Sequence, residues 1–124
     1  MDFGYMCPRY QKVIGLLGKR WTGLILRALM ESPRRFTEIK TYVDGISDRL
    51  LSERLQELEQ AGIVERKVYS QWPVLVEYSL TERGSDFRKV LEAIQAWADR
   101  WILIEEEAEA GAPLPRASTT DPSH

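Results

Sequence analysis

Between positions 49 and 56 stand side chains whose chemistry suits the edges of nucleic-acid bases: Arg49, Ser52, Glu53 and Gln56. Arginine can donate two parallel hydrogen bonds to guanine O6 and N7. Glutamine can pair with adenine N6 and N7, and glutamate can accept from cytosine N4. On a helix turning about 100° per residue, these side chains fall on one side and Leu51, Leu55 and Leu58 on the other. A major groove admits such a helix, and its N-terminal half is the part that reaches base edges. The same pattern also fits any solvated helix face, with Arg49 and Glu53 forming an i,i+4 ion pair. Spacing alone leaves both readings open.

Positive side chains that could hold phosphates lie elsewhere. Arg34 and Arg35 precede a third helix and Thr37 lies in its first turn, where free backbone N–H groups can also receive a phosphate. Lys19 and Arg20 stand in the same way at the start of a second helix, and Arg66 and Lys67 on the first strand of a hairpin. Each is also readable as a solvated surface charge.

Catalytic chemistry is poorly supplied. The only histidine is His124, the last residue, expected to be solvated, so no Ser–His–Asp set can be assembled in a folded body. There is no Gly-rich phosphate loop and no paired His/Cys ligand spacing. Neither an enzyme nor a cofactor is expected. Cys7 is the one cysteine, which excludes an intrachain disulfide and a multi-cysteine zinc site. It precedes Pro8, which suits the first position of a helix. A thiol at a helix N-terminus is more acidic than usual, and the thiolate is its reactive form. Arg9 adds to this effect. With one thiol per chain, the routes are alkylation, a mixed disulfide with a small thiol, or a bridge to Cys7 of a second copy. The plain alternative is that Cys-Pro only starts the helix.

The elements that must carry these groups follow from periodicity and breakers. A first helix starts at Pro8 and shows Tyr10, Val13, Ile14 and Leu17 on one side. A second runs from about Lys19 to Met30, with Trp21, Leu24, Ile25, Ala28 and Leu29 inward. A third covers about 36–43, with Phe36, Ile39 and Val43 inward. Ser47 caps a fourth that ends before Gly62. Residues 64–70 and 74–81, rich in β-branched and aromatic side chains, read as a hairpin around Gln71-Trp72-Pro73. Thr81 then caps one long helix whose apolar side is Phe87, Val90, Leu91, Ile94, Trp97, Ala98 and Trp101. The expected fold is mainly α with a small β-hairpin wing (α+β). It is a winged helix-turn-helix with a three-helix core plus N-terminal and long C-terminal helices.

The 124 residues suit one body, assigned to 1–104, followed by an acidic tail over 105–124 without hydrophobic periodicity, expected to be disordered. The net charge is −2, yet residues 1–104 carry 16 Lys and Arg against 14 Asp and Glu. No apolar run approaches the ~20 residues of a membrane span, and the first residues lack a secretory pattern. A cytoplasmic protein is expected.

In order along the chain stand Cys7-Pro8, Gly18-Lys19-Arg20-Trp21, Arg35-Phe36-Thr37-Glu38-Ile39 and Gly45-Ile46-Ser47. They are followed by LLSERLQELEQAGIVER over 50–66, Pro73, Val76-Glu77-Tyr78-Ser79-Leu80-Thr81, Gly84 and Trp97. Over about residues 7–101 the chain thereby resembles the HxlR-type regulators. The resemblance implies a homodimeric winged helix-turn-helix repressor on palindromic double-stranded DNA. It implies that the first and last helices form the dimer interface, which would enlist Tyr10, Ile14, Ile94, Trp97 and Trp101. The apolar stripe of Trp97 and Trp101 points the same way, although packing against the first helix would also account for it. Some relatives of this type sense oxidants or quinones through a cysteine near the N-terminus, and Cys7 matches that position. A small-molecule or electrophile effector is thus left open. The chain departs from the type at the wing, where Pro73 is followed by Val74 and Leu75 and the usual cation is missing. The rival function is a winged-helix protein-interaction module.

Overall fold

The computed structural model describes residues 5–104. The expected tail over 105–124, and His124 with it, lies outside the described residues. The chain divides into two compact units, one up to Asp86 and one from Phe87 onward.

In the first unit α1 (Pro8–Leu17), α2 (Thr22–Glu31), α3 (Phe36–Tyr42) and α4 (Asp48–Gln60) precede β1 (Val64–Tyr69), β2 (Leu75–Leu80) and α5 (Glu82–Asp86). Ile25, Leu26, Ala28 and Leu29 of α2 form its core with Ile39, Val43 and the Leu51, Leu55 and Leu58 stripe of α4. Each fully buried Leu or Ile contributes on the order of 1.5–3 kcal/mol. The strands pair antiparallel, with Val64 opposite Leu80 and Tyr69 opposite Leu75. The Trp72-Pro73 peptide at the hairpin end is cis. The wing has a third member that the sequence did not announce. Arg34 makes an isolated bridge to Tyr78, each backbone N–H donating to the other's carbonyl at 2.9 and 2.8 Å. Helix order, hairpin and core thus agree with the expected winged helix-turn-helix.

Three expectations need correction. The second helix begins at Thr22, not Lys19, because Trp21 takes a left-handed conformation (φ 83°) that no helix can include. Within α2, Leu24 is exposed and Leu26 is buried. This helix is covered by α1, α3 and β2, more sides than a single stripe describes. The long C-terminal helix is two helices, α5 and α6 (Arg88–Trp101). At the break the Phe87 carbonyl accepts from both Val90 and Leu91 N–H, at 3.0 and 3.2 Å, a tightened turn. Thr81 does cap α5, its Oγ1 accepting from Gly84 N–H at 3.1 Å.

The second unit is built on α6. Its Leu91 is buried, whereas Ile94 is exposed and Trp97 is 61% exposed. The Arg100 guanidinium stacks over the Trp101 ring at 5.0 Å.

Candidate nucleic-acid interface

Helix α4 is fixed at both ends by local chemistry. At its start the Ser47 hydroxyl accepts from Leu50 N–H at 3.1 Å, filling one of the donors a helix leaves open. Asp48 stands next to it and holds Lys40 of α3 at 2.7 Å. At its end Gly62 takes φ 76°, so that Ile63 N–H reaches the Leu58 carbonyl and Gly62 N–H the Glu59 carbonyl, both at 3.0 Å. This is the Schellman pattern, and a side chain at position 62 would be strained in it.

The helix is also bolted to the turn before α2. Arg54 Nε donates to the Arg20 carbonyl at 3.1 Å, and its terminal nitrogen donates to both Glu57 oxygens at 3.3 and 3.1 Å. Lys19 Nζ reaches the same carboxylate at 3.0 Å. The Trp21 ring edge comes within 3.4 Å of where a Cβ on Gly45 would stand, and Gly45 itself has φ 105°. It is the positive φ, not the space beside Trp21, that favours glycine in the bend between α3 and α4. Sequence reasoning missed Arg54: its place beside the leucine stripe on the wheel is a signal, but the Arg20 carbonyl, 34 residues away, was not readable.

So held, α4 turns Arg49, Ser52, Glu53 and Gln56 outward together, all exposed. The Arg49 side chain is 90% exposed and touches Glu53 at only 3.7 Å. An exposed i,i+4 pair contributes about 0.3–0.5 kcal/mol. A bidentate contact to a base is worth about 1–3 kcal/mol. The ion pair therefore does not withhold Arg49 from a base edge.

The expected phosphate contacts divide. Arg34 is taken: its guanidinium donates to the Ala28 carbonyl at 2.8 Å and to Glu31 at 3.2 Å, and lies 4.7 Å from the Tyr42 ring centre. These contacts lock the α2–α3 connection. Lys19 is engaged with Glu57, and Lys67 with Glu65 at 3.3 Å. Arg35, Thr37 and Arg66 remain exposed. The first turn of α3 is already occupied by a carboxylate, since Glu38 accepts from Arg35 N–H at 2.8 Å.

Cys7 occupies the N-cap position of α1 as expected, ahead of Pro8, and is half-exposed. Its Sγ lacks a cap hydrogen bond of ordinary geometry. The backbone N–H groups of Tyr10 and Arg9, followed by the Arg9 guanidinium, still outweigh burial and hold the thiol below its usual value. Helix α1 buries none of its residues; Tyr10 is 61% exposed and Ile14 is exposed as well. Among the described residues no group of three or more His, Cys, Asp or Glu is placed to hold a metal, and no helix is long and apolar enough to cross a membrane.

A capped helix with an outward polar face, followed by a two-stranded wing, defines a winged helix-turn-helix protein of the DNA-binding transcriptional regulator class. The chain belongs to the HxlR-like helix-turn-helix family, whose model matches residues 16–106. It is similar to the HTH-type transcriptional regulator YodB of Bacillus subtilis, with 50% identity over 107 residues covering 82% of this chain and 96% of YodB. The fold matches the reduced form of YodB from B. subtilis with a TM-score of 0.72 and 49% identity, over 79% of this chain and 96% of that one. It matches quinone-bound YodB with a TM-score of 0.68 and 48% identity, over 77% of this chain and all (100%) of that one. Cys7 and Pro8 lie before the stretch that the family model matches.

Proposed function

We propose that this protein is a cytoplasmic homodimeric repressor that reads a palindromic operator with Arg49, Ser52, Glu53 and Gln56, and that modification of Cys7 changes its grip on DNA. The observation that carries the reading is the outward face of α4, held by Ser47 at one end and Gly62 at the other. Arg35, Thr37 and Arg66 serve the DNA backbone, with Arg34, Lys67 and Lys19 available on exchange of their carboxylate partners. Residues 1–104 supply both binding and dimerisation. The apolar faces of α1, with Tyr10 and Ile14, and of α6, with Ile94, Trp97 and Trp101, are each covered by a second copy. The two-fold axis then sets the recognition helices one DNA turn, about 34 Å, apart.

For Cys7, the similarity to a regulator with a quinone-bound form makes an electrophile the effector class. Its lowered pKa gives the thiolate that attacks such a reagent. The test is operator binding before and after treatment with diamide or a benzoquinone, in the wild type and in Cys7→Ser. Loss of binding in the wild type alone supports the reading. A response that survives Cys7→Ser removes Cys7 from it.

A further inference from the structure

The tip of the wing is apolar and uncovered. Trp72 is 92% exposed, and Val68 and Val74 beside it are exposed as well. A tryptophan offers 150–250 Å² of surface to a partner, and no described residue uses that of Trp72. The charges along the wing largely cancel. Lys67 pairs with Glu65 at 3.3 Å and stands across from Glu77, which also accepts from the Tyr69 hydroxyl at 3.3 Å. Arg66 is the one wing cation without an ion pair among the described residues.

From this we infer that Trp72 is a DNA-contacting residue that enters the minor groove beside the segment read by α4, as an apolar wedge. The inference rests on the DNA-binding reading above. Two routes into a minor groove are open to side chains. A cation is drawn by the negative potential of a narrow groove, and an apolar side chain partly unstacks a base step. The wing tip is built for the second. The reach also fits. Strand β1 has six residues, about 20 Å at the usual rise. A major groove and the next minor groove are separated by about half of a 34 Å turn. The arm is stiff at its base, where the Arg34–Tyr78 bridge joins it and Gly84 packs against the Ile63 carbonyl closely enough that a Cβ would lie 2.1 Å from it.

A wedge and a cation leave different signatures. Losing a phosphate contact lowers the slope of log K against log salt by about 0.9, whereas losing an apolar contact leaves the slope unchanged. The experiment uses the reduced full chain and a duplex enriched by it from a random-sequence pool, with affinity followed by anisotropy over a range of salt. Trp72→Ala is expected to weaken binding roughly five-fold or more at every salt concentration with the slope unaltered. Trp72→Phe is expected to keep most of the affinity, and Arg66→Ala to lower the slope. Replacing G·C by inosine·C in the flank removes the minor-groove amine without changing the major-groove edge. That exchange should alter wild-type binding and leave Trp72→Ala unmoved. Because Trp72 packs on nothing, an unchanged melting midpoint for Trp72→Ala shows that the fold is intact. Wild-type affinity in Trp72→Ala, or a loss that appears as a lowered slope, overturns the wedge while leaving the regulator reading in place. Enrichment of no duplex by the wild type overturns both.

Discussion

Arg49 and Arg54 lie five residues apart on one helix and do opposite work. The Arg54 side chain is 15% exposed and spends its donors on the Arg20 carbonyl and Glu57. Arg49 is 90% exposed with one loose contact, so a base edge can take it at little cost. We expect Arg49→Ala to lower operator affinity by about 1–3 kcal/mol and to relax the preference at one base pair, read by anisotropy on a set of single-base variants. Cys7 belongs to this scale too. With its pKa lowered, the thiolate fraction rises at lower pH than in a free thiol. The rate of alkylation by iodoacetamide should therefore rise with pH through a midpoint below that of an unperturbed thiol measured in the same way. Arg9→Ala should move the midpoint upward, and an unchanged midpoint would mean that the guanidinium contributes nothing. Residue types along α4 were legible because periodicity assigns a face to each position. The fates of Arg34 and Lys19 were not. Their partners are a backbone carbonyl and a carboxylate from other turns of the fold, which no local pattern records.

Helix ends explain which elements could be read in advance. Ser47 and Gly62 are start and stop signals with a local mechanism, and α4 runs between them as expected. The second helix has no such residue between Gly18 and Thr22. Its start is set by the left-handed Trp21, a conformation costing about 1–2 kcal/mol that tertiary contacts must offset. The break at Phe87 was hidden for a different reason: α5 reads Glu-Arg-Gly-Ser-Asp, without an apolar residue whose phase could be set against Phe87, Val90, Leu91 and Ile94, and no proline marks the join. Two substitutions test the element scale. Ser47→Ala should cost about 1 kcal/mol of stability by removing the cap, measured by urea unfolding. Gly84→Ala places a Cβ 2.1 Å from the Ile63 carbonyl oxygen, so backbone must shift, and a loss of about 1–3 kcal/mol is expected. A Gly84→Ala protein as stable as the parent would show that α5 is free to move away.

For the whole molecule, the order of helices and hairpin was enough to give the winged helix-turn-helix, because few folds place two strands directly after three helices. Assembly was less legible, since spacing does not distinguish an apolar stripe that packs inside a chain from one left open. Trp97 could have been either, and it is 61% exposed. A buried charge at a subunit interface is strongly unfavourable. Trp97→Asp should therefore give a monomer by sedimentation equilibrium and weaken operator binding, whereas a dimer of unchanged strength would place the interface elsewhere. Charge gives little long-range help, since the protein carries a net −2. The attraction to DNA must come from the few free cations and from directional contacts. The most direct test is anisotropy of the reduced protein on DNA from upstream of its own gene and on a scrambled duplex, at increasing salt. Tight binding to the upstream DNA, much weaker binding to the scrambled control and a steep decline with salt are predicted. Salt-insensitive or absent binding to every duplex would contradict the account and point to a protein partner for this winged helix.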